Sequence, residues 1–370
     1  IISDENVFPL YGERVSDILK GAGFLVHSFT VPVGEDAKSM DNAGRIYDFL
    51  VERRVERDDV IIALGGGVVG DLAGFVAATF MRGIPWVQVP TSLIAMVDAS
   101  IGGKVGVNHP RAKNLIGAFY QPCLVLADCQ TLSTLPEREL VSGWAEVIKH
   151  GLILDEGFLR FLESDPDSLK ALEQQSITCA VACSAAIKAG VVSEDERERT
   201  GRRTILNYGH TIGHGLEAAA LYKGFLHGEA VAIGMMGAAM LSQRLGLLSS
   251  AAVDRQKALL QEFGLPASLG DFSSSSLGTV SSSSLDTDAS SSSREILPLS
   301  SRDIHPLSSR AERSDLKIGP AEVARAMELD KKKKGKTIRW VLLEDIGRAT
   351  IRSDVPAEEV LAVLRELLEL

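Results

Sequence analysis

Val60-Ile61-Ile62-Ala63-Leu64 runs into Gly65-Gly66-Gly67-Val68-Val69-Gly70-Asp71, and a helix of small apolar residues, Leu72 to Phe80, follows at once. An aliphatic run closed by glycines predicts a buried strand, and the order strand, turn, helix predicts a parallel α/β sheet. Trp86 to Val89 reads as the next strand. Glycines let backbone N–H groups approach a pyrophosphate, and a helix N-terminus favours negative charge, so the turn suits a dinucleotide. The acidic residue that usually follows about 20 positions later is absent, because Val89 leads into Pro90-Thr91-Ser92. The fingerprint is Rossmann-like without being an ordinary one, and a tight turn that only packs a helix on a sheet is the plainer reading. Asp4, after a first strand that looks cut short, and Glu35, in Gly34-Glu35-Asp36-Ala37-Lys38, are candidates to accept ribose hydroxyls. Acids there favour NAD over NADP.

A second concentration of chemistry is Asn207-Tyr208-Gly209-His210-Thr211-Ile212-Gly213-His214-Gly215-Leu216-Glu217, with His227 following in Leu226-His227-Gly228-Glu229. Three of the seven histidines of the chain fall here. On a helix, His210 and His214 share one face. Two or three imidazoles with a carboxylate are the usual ligand set of a catalytic zinc that keeps one position open. Helix histidines satisfied by local hydrogen bonds are the alternative. Cations punctuate the same chain: Arg82, Lys104 within Gly102-Gly103-Lys104-Val105-Gly106, Lys113, Lys149, Lys188 and Arg203. Lys104 and Lys149 stand in glycine-rich or apolar stretches, where a charge requires a buried partner. A phosphate or carboxylate ligand would supply it.

A chain of 370 residues, 45% hydrophobic and 24% charged, can build two domains with sizeable cores. A net charge of -10 argues against a nucleic-acid surface, so an anionic small molecule must meet a local basic pocket. The apolar runs are broken before the roughly 20 residues of a membrane span, and no signal peptide is visible at Ile1-Ile2-Ser3-Asp4. A cytoplasmic protein with neither membrane nor nucleic-acid partner is expected. Cys123, Cys129, Cys179 and Cys183 form no paired ligand motif and read as buried free thiols.

The α/β rhythm predicts a first domain over 1–130. From 131 to 370 helical periodicity takes over. Thr134-Leu135-Pro136-Glu137 reads as a capping box opening a helix that carries Trp144 to His150. Serine clusters near 273–310 read as a flexible surface insertion. After the lysine run Lys331 to Lys334, Thr337 to Leu343 suggests a short strand and Glu358 to Leu368 a closing amphipathic helix.

Taken together, Gly65 to Asp71, Arg82 to Asn114, Thr131 to His150, Lys188 to Glu198, Asn207 to Glu217 and His227 to Glu229 resemble the 3-dehydroquinate synthases of the sugar phosphate cyclase superfamily. The resemblance implies an N-terminal NAD-binding α/β domain, a mainly helical metal-binding domain, and a homodimer. It also implies conversion of 3-deoxy-D-arabino-heptulosonate 7-phosphate to 3-dehydroquinate and phosphate in the shikimate pathway, through oxidation, elimination, reduction and aldol closure. Carried over by position, the ligands of a zinc ion, or of cobalt in its place, fall on Glu146, His210 and His227, and His214 faces the substrate. NAD is implied at Gly66, Gly67, Val68, Val69, Gly70 and Asp71, helped by Asp4, Glu35, Lys38, Thr91, Ser92, Lys104, Lys113 and the segment Thr131, Leu132, Ser133, Thr134. Asp98, Lys104, Asn114, Lys149, Lys188, Glu198, Arg203 and Asn207 match positions of the family's reaction site, with Lys188 and Arg203 suited to the substrate carboxylate and Arg82 to the phosphate site of a neighbouring subunit.

Three departures accompany the match. The first strand and the residues before it look cut away, which predicts a weakened sheet edge and cofactor site. Asp330 is followed by four lysines where the family shows two, and Arg199 is an extra residue before the Arg203 segment. Rival readings are a sister cyclase acting on a neutral-headed sugar phosphate such as sedoheptulose 7-phosphate or glucose 6-phosphate, a metal-dependent polyol dehydrogenase, and a non-catalytic NAD and zinc module.

Overall fold

The computed structural model describes residues 1–110, 112–220, 224–271, 318–334 and 337–368, with 329–334 given by their backbone. The first layer is built from β1 (Ile2–Asp4), α1 (Glu13–Gly21), β2 (Phe29–Val31), α2 (Met40–Glu52), β3 (Ile61–Gly65), α3 (Gly67–Thr79), β4 (Trp86–Pro90), the hairpin β5 (Lys104–His109) and β6 (Ala112–Phe119), and β7 (Leu124–Val125). Five of these strands form a sheet in the order β2-β1-β3-β4-β7, with every pairing parallel. β1 is therefore an inner strand, bonded on both sides, and the expected weak edge at the N-terminus is corrected: three residues suffice because β2 and β3 both take up its backbone groups.

The sequence of α3 explains its position. Gly67 to Thr79 is apolar on nearly every side, because the helix lies between the sheet and β5 and buries Val69, Leu72, Phe75 and Val76. Gly74 allows the approach: a Cβ there would stand 2.8 Å from the Trp86 ring and collide with Val105.

The second layer is helical: α4 (Glu137–Leu154), α5 (Glu156–Ser164), α6 (Pro166–Lys170), α7 (Gln174–Glu194), α8 (His210–Ala219), α9 (His227–Arg244), α10 (Ser250–Glu262), α11 (Pro320–Lys334) and α12 (Ala357–Leu368), with the hairpin β8 (Trp340–Asp345) and β9 (Arg348–Arg352). α9 is its axis. Apart from Met240, every residue from Gly228 to Ser242 is buried, against α4, α8, α10, α12 and β8. Gly234 lets α8 lie directly on α9, since a Cβ there would strike the carbonyl of Gly209. The start of α8 thus meets the middle of α9, Gly213 meets Ala230, and Gly228 in the first turn of α9 lies against Ser142 of α4.

Several local expectations change. Thr134 does not cap α4: Pro136 is the N-cap without a side-chain bond, and the Thr134 hydroxyl instead donates to the Thr131 carbonyl and pairs with the Tyr11 hydroxyl. The strand expected from Thr337 starts at Trp340, while the closing helix appears at Ala357–Leu368. All four cysteines are free, but only Cys129 is buried: Cys123 and Cys179 are exposed, and Cys183 is half-buried against the helical core. Among the described residues α7 is the one helix long and apolar enough by composition to span a membrane, against the expectation of interrupted runs; its inner side, Ile177, Ala180 and Val191, packs in the helical core. The serine-rich tract and the lysine side chains of 331–334 lie outside the described residues.

Candidate functional site

The carboxyl ends of the parallel strands gather the groups expected around a dinucleotide. β3 ends in the glycine turn, Thr91 and Ser92 follow β4, and Asp4 closes β1. This edge is where open α/β sheets bind ligands. Gly66 precedes α3 without a side-chain cap, which leaves the first amides of the helix, Gly67, Val68 and Val69, for an external acceptor. The backbone therefore fits a pyrophosphate. Lys38 Nζ, deeply buried, lies 2.5 Å from both Asp71 Oδ2 and Asn114 Oδ1. Burial pushes the Asp71 carboxyl upward, and Lys38 opposes that shift. Glu35 accepts from Asn108 at 2.7 Å, and the Asn108 side chain accepts from the Asn114 amide at 2.9 Å, so these positions form one network. Asp4 turns its carboxylate to the amides of Asn6 and Val7. Thr131, Leu132, Ser133 and Thr134 lie in a 3-10 turn capped by Asp128 and held to Tyr11.

Glu146 of α4 is fully buried, with its Oε2 against the Lys149 ammonium of the same helix. Two imidazoles face it. His210 is the first residue of α8 and His227 the first of α9, and each presents Nε2 at 3.6 Å from Glu146 Oε1. One atom from each of the three residues lies within 4.8 Å of the others. The other nitrogen of each ring is occupied: His210 Nδ1 lies 3.1 Å from the Tyr208 carbonyl, and His227 Nδ1 3.3 Å from Glu217 Oε1. Each Nδ1 thus donates to an oxygen, which turns each Nε2 toward Glu146 as the atom a metal would take. A buried carboxylate and two imidazoles that converge on one of its oxygens fit a divalent ion such as zinc.

The charges agree. Burial drives the Glu146 carboxyl upward, but Lys149, one helical turn on, and the two histidines more than offset this and hold it well below its ordinary value. Burial, reinforced by Lys149, holds His210 well below the usual imidazole value. Burial also opposes charge on His227, yet hydrogen bonds to Glu146 and Glu217 raise it to about 10, so in the metal-free chain its Nε2 carries a proton whose place a bound metal would take. His214 is exposed and sets its ring edge-on to His210, 5.4 Å between centroids.

Beside this triad, Lys188 of α7 bonds both the carboxylate of Asp98, at 2.7 Å, and its carbonyl, at 2.6 Å. Burial pushes Asp98 up, but Lys188 outweighs it and holds the group at about 2. Buried Arg203 donates to the carbonyls of Gly102 and Glu196, and its Nε lies 3.6 Å from Glu198. Lys104 joins Glu198 at 2.5 Å. Asn207 is exposed at the end of the 3-10 turn before α8.

The expected partnering of Lys149 holds, since it is sealed against Glu146. That of Lys104 is corrected: its side chain is 52% exposed and its partner Glu198 is exposed too, because β5 starts at the open end of a hairpin outside the main sheet. Arg82 is also exposed and follows α3 just before β4, at the opposite end of the sheet from the glycine turn, so it stands apart from the groups of its own chain. Lys113 and Asn114 are exposed on β6; burial pushes the Glu217 carboxyl up, but the hydrogen bond and charge of His227, with smaller pulls from His214 and Lys113, hold it low. Two residues escaped the sequence reading. Glu217 falls seven after His210, hence on the same helix face, and that spacing could have found it. His150 is buried with Nδ1 2.6 Å from Ser184 Oγ and forms a group with Asp98 and Glu146; burial beside Lys149 lowers it to about 3. No spacing rule links it to Asp98.

The 3-dehydroquinate synthase N-terminal family matches residues 28–142 and the 3-dehydroquinate synthase C-terminal family residues 143–284. A 3-dehydroquinate synthase from Crocosphaera subtropica is 43% identical over 369 residues, covering 99% of this chain and 88% of the relative. Among solved structures, 2-epi-5-epi-valiolone synthase from Streptomyces hygroscopicus subsp. jinggangensis, with NAD+ and Zn2+ bound, superposes with a TM-score of 0.80 at 27% identity, over 100% of this chain and 90% of that one. A 2-deoxy-scyllo-inosose synthase complexed with carbaglucose-6-phosphate, NAD+ and Co2+ gives 0.78 at 27% identity, over 99% and 89%. Two adjoining family matches that cover most of the sequence, and a relative similar from end to end, agree with the site's geometry: the chain belongs to the 3-dehydroquinate synthase family.

Proposed function

We propose that the chain is a cytoplasmic phosphate-eliminating cyclase that turns 3-deoxy-D-arabino-heptulosonate 7-phosphate into 3-dehydroquinate and phosphate. The observation that carries this reading is the convergence of Glu146, His210 and His227 on one point beside the buried cations Lys149, Lys188 and Arg203. Glu146, His210 and His227 hold the metal, zinc or in its place cobalt. NAD lies on Gly66 to Asp71, with Asp4, Glu35, Lys38, Thr91, Ser92, Lys113 and Thr131 to Thr134 around it. When bound, the metal supplies Lewis acidity to the substrate hydroxyls and the nicotinamide a reversible hydride acceptor.

The side chains of the chain do the rest. Lys149 and Asn207, each one turn from a ligand, hold substrate hydroxyl oxygens. Lys188 and Arg203 bind the substrate carboxylate, with Asp98 and Glu198 setting their direction until it arrives. Lys104 and Asn114 border the cleft toward the phosphate. His214, exposed beside the metal ligands, takes a proton from a substrate hydroxyl oxygen and passes it to solvent, the task imidazole performs near neutrality. The working assembly in this reading is a homodimer in which Arg82 serves the phosphate site of the other copy, and its exposure away from its own chain's cluster supports that. The NAD domain then ends near residue 130 and the helical domain takes the remainder.

The test is phosphate release from the heptulosonate phosphate with catalytic NAD, after metal removal and again after zinc add-back. Activity should vanish and return without net NADH. Turnover of sedoheptulose 7-phosphate or glucose 6-phosphate alone, or accumulation of NADH, would overturn the proposal.

A further inference from the structure

His210 and His227 present Nε2 to the same oxygen of Glu146 at the same 3.6 Å, but they are held differently. The ring of His210 is anchored by a backbone carbonyl two residues before it. The ring of His227 is the more exposed, 35% against 13%, and its Nδ1 finds a side chain, Glu217, ten residues earlier on another helix. An imidazole with an unheld Nδ1 can rotate about its side-chain bonds or exchange tautomers, and either change removes the lone pair from the metal position.

We infer that Glu217 is a positioning residue for the metal centre: its carboxylate accepts the Nδ1–H of His227 and so fixes the ring and the tautomer that offer Nε2 to the ion. The assignment rests on the metal site proposed above. α8 then carries the ligand His210, the substrate-facing His214 and the anchor of the third ligand on a single face, at intervals of four and three residues. The metal centre is thereby tied to the packing of α8 on α9, the contact that Gly234 permits.

The experiment is a zinc titration of the full chain against a chromophoric chelator, with Glu217→Ala, Glu217→Gln and Glu146→Ala compared with the parent. Glu217→Ala should lose about 10–100-fold in zinc affinity, the usual effect of removing an outer-shell partner. Glu217→Gln should recover most of it, because the amide oxygen still accepts from Nδ1–H. The metal-free chain should lose far less stability in either Glu217 variant than in Glu146→Ala, which strands a buried charge. Parent affinity in Glu217→Ala would overturn the inference. So would a loss as complete as that of Glu146→Ala, which would make Glu217 a ligand in its own right. Parent affinity in Glu146→Ala would instead sink the metal site itself.

Discussion

At the carboxyl ends of β1, β3 and β4 the groups turned toward a ligand are backbone amides and, apart from Lys38 and Thr91, side chains at least partly open to solvent; between α4, α8 and α9 they include charges sealed in a core. Both layers are packed by close helix contacts, yet they meet a ligand under different conditions. Amides at a helix N-terminus are already aligned, and no charge has to be stripped of water to place them there. Glu146 and Lys149 are each at most 1% exposed, and removing such ions from water costs several kcal/mol apiece unless partners and hydrogen bonds compensate. The helical layer is thus finely balanced around its charges, and the sheet layer is not.

The largest expected effect comes from breaking that balance. Glu146→Ala leaves the Lys149 ammonium buried alone, and chemical denaturation should show a loss of about 3–5 kcal/mol together with loss of bound zinc. A variant as stable as the parent would mean that the two layers do not differ in this way. His214→Ala should keep zinc and the fold while phosphate release falls about 100-fold, the scale of a lost proton relay; loss of zinc would return His210 and His214 to a shared ligand role.

A smaller, pH-dependent effect belongs to the loop that carries Arg203. Burial works against charge on Asp195, but the backbone N–H groups of Thr200, Arg203 and Arg199 outweigh it and hold the group at about 2. Its stabilisation is complete above the ordinary aspartate value of roughly 4 and is lost as the pH falls through 2. Asp195→Asn should therefore flatten the acid limb of a stability-against-pH curve, and an unaltered limb would place that dependence elsewhere. The smallest effect is expected at Lys104. Lys104→Ala breaks a solvent-exposed pair with Glu198 and should change stability by no more than about 1 kcal/mol. A loss approaching that of Glu146→Ala would erase the contrast between exposed and sealed charges.

The legible part of the fold was its periodic part. Val60 to Phe80 announced strand, turn and helix, and Glu358 to Leu368 its amphipathic helix, because hydrophobic period and glycine placement act over a few residues. The illegible part was local competition. Thr134 had the spacing of a cap, but the Thr131 carbonyl and Tyr11, 123 residues away, claimed its hydroxyl. The short β1 looked like a weak edge, and only the pairing order made it an inner strand.

For the site, the sequence by itself determined what one helix can place: His210 and His214 four apart, Glu146 and Lys149 three apart, and the glycines before α3. It also carried the family's motifs, from which the Glu146, His210 and His227 set was expected. Tertiary structure decided the partners: Lys188 with Asp98 across 90 residues, Lys104 with Glu198 across 94, and Glu217 with His227 on a neighbouring helix. The reason is physical. Charges and ring nitrogens interact over a few ångströms, and beyond about one helical turn only the packing of whole elements brings two side chains that close.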